Sequence, residues 1–129
     1  MIQIGTSLNV IDNCGAKKVY CIKLPRGFKK RYAYTGDIIL VSVKSIRSRR
    51  KLTSKVKKGE LYSALILRTK YNKQFFSNKS ETLRFLENSV VLLNKQNRLI
   101  GTRIFGSIPK LFRYTKFMRL ISLSTGIVF

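Results

Sequence analysis

The sequence predicts a mainly β fold, a small barrel or sandwich closed by a short helical carboxyl-terminal segment. Two observations carry that expectation. Short apolar runs separated by turn residues fill the first two-thirds of the chain. After Pro109 the pattern changes to one compatible with helical turns. The 129 residues contain no internal repeat and no flexible linker, and that length suits one domain. Apolar residues make up 44% of the chain, enough to build a core rather than a disordered basic tail.

Taken in order, Leu8-Asn9-Val10-Ile11 is the first strand, ended by the turn residues Asp12-Asn13-Cys14-Gly15. Val19 to Leu24 is the second, stopped by Pro25, which has no N–H to give to a ladder. A basic loop runs from Arg26 to Arg31. Gly36-Asp37 then introduces Ile38 to Lys44, where Ile39, Val41 and Val43 share one face and Ile38 and Leu40 the other. A strand apolar on both faces is covered on both sides or lies at a barrel seam. Leu61 to Thr69 and Ser89 to Asn94 are two more of the same kind, and Leu83-Arg84-Phe85 alternates with Arg84 outward. Beyond Pro109, Lys110 to Tyr114 fits one helical turn. Thr115 is placed to cap a helix over Lys116 to Ile121, while Ile127-Val128-Phe129 can continue as strand.

Charge dominates the functional reading. Lys and Arg number 27 against 5 Asp and Glu, a formal charge of +22. A folded domain so charged repels itself unless an anionic partner neutralises it. A membrane partner calls for about 18 consecutive apolar residues or a clean amphipathic helix, and the longest apolar runs here, such as Ile38 to Val41, are far shorter. Nucleic acid is the partner that remains.

The densest basic stretch runs from Arg47 to Gly59 and holds Arg47, Arg49, Arg50, Lys51, Lys55, Lys57 and Lys58 with no acid. Lying between two strong strands, it reads as a long hairpin whose like charges splay into solvent unless phosphates separate them, a finger for a nucleic-acid groove. A second cluster, Arg26, Lys29, Lys30 and Arg31, is interleaved with Phe28, Tyr32 and Tyr34, rings that either stack on unpaired bases or cap the core. Arg68, Lys70 and Lys73, with Arg98 and Arg103, complete a third group.

Catalytic and cofactor chemistry finds no footing. There is no histidine, and the acids Asp12, Asp37, Glu60, Glu81 and Glu87 are scattered, Asp37 and Glu60 beside turn glycines. Cys14 and Cys21 supply two of the four ligands a structural zinc needs, and a disulfide between them is rare in reducing compartments, so they read as small apolar residues, with no metal and no cofactor implied. Gly101 to Gly106 has the glycine spacing of a phosphate loop, but Ser107 and Ile108 follow where Lys and Ser or Thr are required.

The ordered motifs Met1-Ile2-Gln3, Leu8-Asn9-Val10, Asp12-Asn13-Cys14-Gly15-Ala16, Cys21-Ile22-Lys23, Gly36-Asp37-Ile38-Ile39, Val56-Lys57-Lys58-Gly59 and Arg68-Thr69-Lys70 resemble one family. So do Val91-Leu92-Leu93-Asn94, Ile100-Gly101-Thr102-Arg103-Ile104-Phe105-Gly106 and Lys116-Phe117-Met118. It is the universal large-subunit ribosomal protein family numbered fourteen in the bacterial scheme, and the likeness runs from residue 1 to about 123. The resemblance implies a five-stranded β-barrel over 1–106 carrying a basic hairpin at 45–58, with a short helical segment over 107–129. It also implies binding to large-subunit rRNA, contacts with the third and nineteenth large-subunit proteins and with small-subunit rRNA at the intersubunit face, and docking of a ribosome-silencing factor. Carried over to this chain, Asn13, Gly15 and Lys17, then Lys57-Lys58-Gly59, then Arg68-Thr69-Lys70 become RNA-facing elements. The chain departs from the family pattern at Cys14, usually serine, in a longer basic hairpin, at Asn78-Lys79-Ser80 in place of a turn glycine, and at its end, where the usual proline and acid are missing.

Residues with AT-rich codons (Phe, Tyr, Met, Ile, Asn, Lys) outnumber Gly, Ala, Arg and Pro, as in organelle genomes. The first basic residue is Lys17, so the start resembles neither a signal nor a transit peptide. The expectation is a mitochondrial ribosome and an organelle-encoded chain, with plastid and bacterial cytoplasm as alternatives. The rival function is DNA packaging or regulatory DNA binding, which the charge serves equally well.

Overall fold

The computed structural model describes residues 1–25, 31–50, 52–71, 73–74 and 82–128. In chain order they form β1 (Ser7–Val10), β2 (Ala16–Lys23), β3 (Ile38–Ile46), β4 (Leu61–Arg68), β5 (Lys73–Gln74), β6 (Thr82–Leu83), β7 (Ser89–Leu93), β8 (Ile104–Pro109), α1 (Arg119–Leu123) and β9 (Ser124–Val128). Strands β1, β2, β3, β4 and β7 close into a five-stranded barrel. Its ladders are antiparallel except where β1 meets β7 in parallel, Asn9 opposite Ser89 and Val10 opposite Val90.

The two-faced strands are covered on both sides. Period-two alternation sends Ile39, Val41, Val43, Ala64, Ile66, Val90 and Leu92 into the barrel interior with Leu8, Val10, Val19 and both cysteines. The other faces of β4 and β7, Leu65, Leu67, Val91 and Leu93, lie under Ile104, Ile108, Phe112 and Leu120 from the carboxyl-terminal elements. Burying each of those four outer side chains contributes roughly 1.5–3 kcal/mol. The end of the chain is therefore a second half of the core rather than an appendage. Cys14 and Cys21 are buried free thiols. Burial pushes both thiols up, and for Cys14 the neighbouring Asp12 carboxylate adds to it.

Three elements differ from the sequence expectation. The helix expected after Thr115 begins later, at Arg119, because the preceding residues take tighter turns. Thr115 ends the 3-10 helix Lys110–Tyr114, donating its hydroxyl to the Phe112 carbonyl at 3.1 Å, and the bonds from Leu120 N to Phe117 O and Ile121 N to Met118 O are three-residue ones. Residues 104–109 form β8, parallel to β9, where Gly106 and Pro109 had hidden the strand pattern. The alternation at Leu83 to Phe85 yields only the two residues of β6, paired with β5.

The largest difference is the basic connection between β3 and β4. It was expected to splay; instead it folds back on the barrel. Val56 is 1% exposed and belongs to the interior cluster. Arg47 N donates to Gly15 O at 2.9 Å and Lys55 N to Cys14 O at 3.0 Å. One β-branched side chain and two backbone bonds thus dock the loop against the β1–β2 turn, overcoming the repulsion of its cations.

Candidate nucleic-acid interface

The β1–β2 turn organises this end of the barrel. Asp12 is 1% exposed, and its carboxylate accepts from Cys14 N at 3.0 Å and from Leu92 N at 3.1 Å, tying the turn to β7. Asn13 beside it accepts from Thr102 N at 2.7 Å and Arg103 N at 3.3 Å, and donates to Thr102 Oγ1 at 2.7 Å. Two glycines permit the close packing. A Cβ on Gly15, at φ +106°, would stand 2.7 Å from Ser54 Cβ, and one on Gly101 would stand 2.7 Å from Asp12 Cβ. Lys55 Nζ adds a bond to the Ile100 carbonyl at 3.3 Å. The turn, the basic loop and the 100–103 loop are laced into one surface.

Beside that surface lies an open groove of about 1000 Å³. Lys17 and Lys18 from β2 line it together with Ser45 near the end of β3 and Arg47 and Arg49 just beyond that strand, and Asn9 and Glu87 also border it. The β2–β3 register shifts on either side of the Lys18–Ser45 pair, so Lys17 and Lys18 are both exposed in succession. That is a bulge, and it turns two adjacent cations toward solvent where a regular strand would turn one. Arg47 is held by one bond from Nη2 to the Val10 carbonyl at 3.0 Å and by its guanidinium 5.5 Å above the Phe105 ring.

The predicted basic residues separate into classes. Lys17, Arg47 and Arg49 come together in the groove, and Lys55, Lys57 and Lys58 are exposed along the docked loop. Arg98 lines a second hollow of about 390 Å³ with Lys116 and Arg119, and Arg103 is exposed on the adjoining loop. Arg31 and Lys70 are exposed and line neither hollow. Arg50 belongs to the 3-10 turn Ser48–Arg50, and Lys73 to β5. Arg26, Lys29, Lys30 and Lys51 lie outside the described residues, as do Phe28 and Glu81. Tyr34 packs against Tyr71, ring centroids 5.9 Å apart.

Arg68 is placed differently from the RNA-facing expectation. Its side chain is 12% exposed and clamps β4 to β8, donating from Nε to the Ser107 carbonyl at 2.8 Å, from Nη2 to the Phe105 carbonyl and from Nη1 to Glu87 Oε1 at 3.1 Å. Burial lowers its pKa even though Glu87 pulls the other way. Burial likewise works to raise the Glu87 pKa, but bonds from Ser89 and Asn9 and the Arg68 charge outweigh it and hold the carboxyl below its ordinary value. Lys116 and Arg119 were missed in the sequence because each is unremarkable until the fold sets it beside other cations, and Lys18 was missed although it doubles Lys17 within the strand. Ser45 carried no signal at all.

Asp37 stays in its turn, accepting from Tyr34 N at 2.9 Å, and Glu60 accepts from the Tyr62 hydroxyl. Among the described residues no three His, Cys, Asp or Glu are grouped to hold a metal ion, and no helix is long and apolar enough to cross a membrane. What the geometry offers is a barrel end bearing exposed cations, suited to a polyanion. A family model described as ribosomal protein L14p/L23e matches residues 1–128. Its span takes in the barrel, the docked basic loop and the carboxyl-terminal cover alike, so the chain belongs to the ribosomal protein L14p/L23e family, structural and non-enzymatic proteins of the large ribosomal subunit.

Proposed function

We propose that this protein grips large-subunit rRNA through the groove lined by Lys17, Lys18, Arg47 and Arg49, the docked loop with Lys55, Lys57 and Lys58, and the Arg98–Arg103 loop. The observation that carries this is the gathering of cations from separate strands around one barrel end in a chain of charge +22. If about 6–10 phosphates are neutralised, affinity falls on the order of a thousandfold or more between 50 and 200 mM salt. Filter binding of transcribed large-subunit rRNA over that range tests it, and a nearly flat response overturns it. Replacing Arg49, Arg50 and Lys51 together with alanine lowers the salt slope and weakens incorporation into large subunits; unchanged incorporation removes the loop from the interface.

The finer placement rests on the family likeness. All of residues 1–129 act as one domain at the intersubunit face, reaching small-subunit rRNA, with the third and nineteenth large-subunit proteins as neighbours and a ribosome-silencing factor as a further partner. The codon-biased composition supports a mitochondrial ribosome. Sucrose-gradient fractionation of purified mitochondria, probed for this chain, tests the location; absence from the large-subunit peak refutes it.

A further inference from the structure

Ser45 is the one place among the described residues where a buried side-chain oxygen lacks a partner: its Oγ has no hydrogen bond and is sealed from solvent. It sits in the wall of the cationic groove. A hydroxyl is both donor and acceptor, and one buried without either bond is disfavoured in the free protein. Ser45 lies at the bulge, paired with Lys18 at a point where the ladder shifts register on both sides.

The charges around it select the ligand. Lys17, Lys18, Arg47 and Arg49 all line the groove with it. The acid at the groove's border, Glu87, is already occupied: it accepts from Asn9 Nδ2 at 3.0 Å, Ser89 Oγ at 2.8 Å and Arg68 Nη1 at 3.1 Å. An anion is therefore drawn to the cations of the lining around Ser45. At about 1000 Å³ and open to solvent, the groove is at the upper limit of small-molecule sites and suits a polymer strand better than a free ion.

We propose that this groove seats the backbone of a single RNA strand, one phosphodiester displacing the rim side chains far enough for the Ser45 hydroxyl to donate to a non-bridging oxygen. This deepens the rRNA-binding reading and rests on it. Rotation of Ser45 about χ1 and movement of the long Lys and Arg stems open the way, and both occur readily at a protein surface.

The test compares Ser45→Ala and Lys18→Ala with the unaltered protein, using poly(U) and structured large-subunit rRNA as probes. Ser45→Ala is expected to weaken binding roughly tenfold to a hundredfold at fixed salt, the loss of one hydrogen bond to a charged group. It leaves the slope of log K against log salt unchanged, because a hydroxyl releases no counterion, whereas Lys18→Ala lowers the slope by about one. Free Ser45→Ala protein melts at the same or a higher temperature, since a buried unpaired hydroxyl has been removed. Binding of Ser45→Ala equal to the unaltered protein, or a drop in its melting temperature that accounts for the loss, overturns the inference. Failure of the unaltered protein to show salt-dependent RNA binding is a separate result, and refutes the proposed function itself.

Discussion

Val56→Ala probes how the basic loop is presented to its partner. Between Arg47 and Gly59 the large apolar residues are Leu52, fully exposed, and Val56, 1% exposed. Replacing Val56 by alanine removes two methyl groups, about 0.8 kcal/mol each, and the cavity left behind adds up to roughly 1 kcal/mol more. A loss of about 2 kcal/mol raises the fraction of undocked loop about thirtyfold. Limited trypsin digestion reads that fraction when reclosing is faster than cleavage, and the loop offers cuts after Arg49, Lys55, Lys57 and Lys58. Val56→Ala should be cut in this loop roughly thirty times faster than the unaltered protein. RNA affinity should fall as well, with the salt slope intact, because the loop must then be ordered on binding while no charge has been lost. Cleavage at the unaltered rate would mean that the two backbone bonds to Cys14 and Gly15 hold the loop without Val56, refuting the anchor.

Other outcomes follow from the same surface. Asp12→Asn leaves an amide facing two buried N–H groups, those of Cys14 and Leu92, and should destabilise by about 2–4 kcal/mol in chemical denaturation, where a shift below about 0.5 kcal/mol would refute its role as the tie between turn and barrel. Glu87 has a folded pKa below its ordinary 4.5, so its contribution is present above pH 4.5 and lost as pH falls through the folded value. Glu87→Gln should accordingly lose stability less steeply below pH 4.5 than the unaltered protein, and parallel urea-midpoint curves would refute it. Raising salt from 50 to 500 mM should raise the melting temperature of the isolated protein by screening self-repulsion while it weakens the RNA complex. A lower melting temperature for the isolated chain would show that the charge is already balanced within the fold.

The barrel strands were legible because their signals are local. Alternation in Ile38 to Val43, Pro25 after β2, and Gly36-Asp37 before β3 each act within a few residues. The site was legible as charge but not as geometry. Arg68 and Arg103 look alike in the sequence, yet one is turned inward by Ser107, Phe105 and Glu87, residues 19 to 39 positions away. Asp12 resembles any turn acid until Leu92, 80 positions on, donates to it. The one local clue to the groove was Ala16-Lys17-Lys18-Val19, where two successive cations break the alternation that Ala16 and Val19 require, the signature of a bulge.

A charge of +22 would tear at a barrel stabilised only from within. This fold answers with apolar contact on both faces of β4 and β7, one face inward and the other under β8, Phe112 and Leu120. Because those contacts are independent of any charge, few cations are enlisted by the fold, Arg68 between β4 and β8 being one. Others line the groove at the barrel end, where the bordering acid Glu87 is taken up by Asn9, Ser89 and Arg68, while Asp12 and Asp37 are bound into their turns by Cys14, Leu92 and Tyr34. The division fits the rRNA binding proposed above: stability resides in the two apolar layers, and the exposed cations are left electrostatically unfinished for a polyanion.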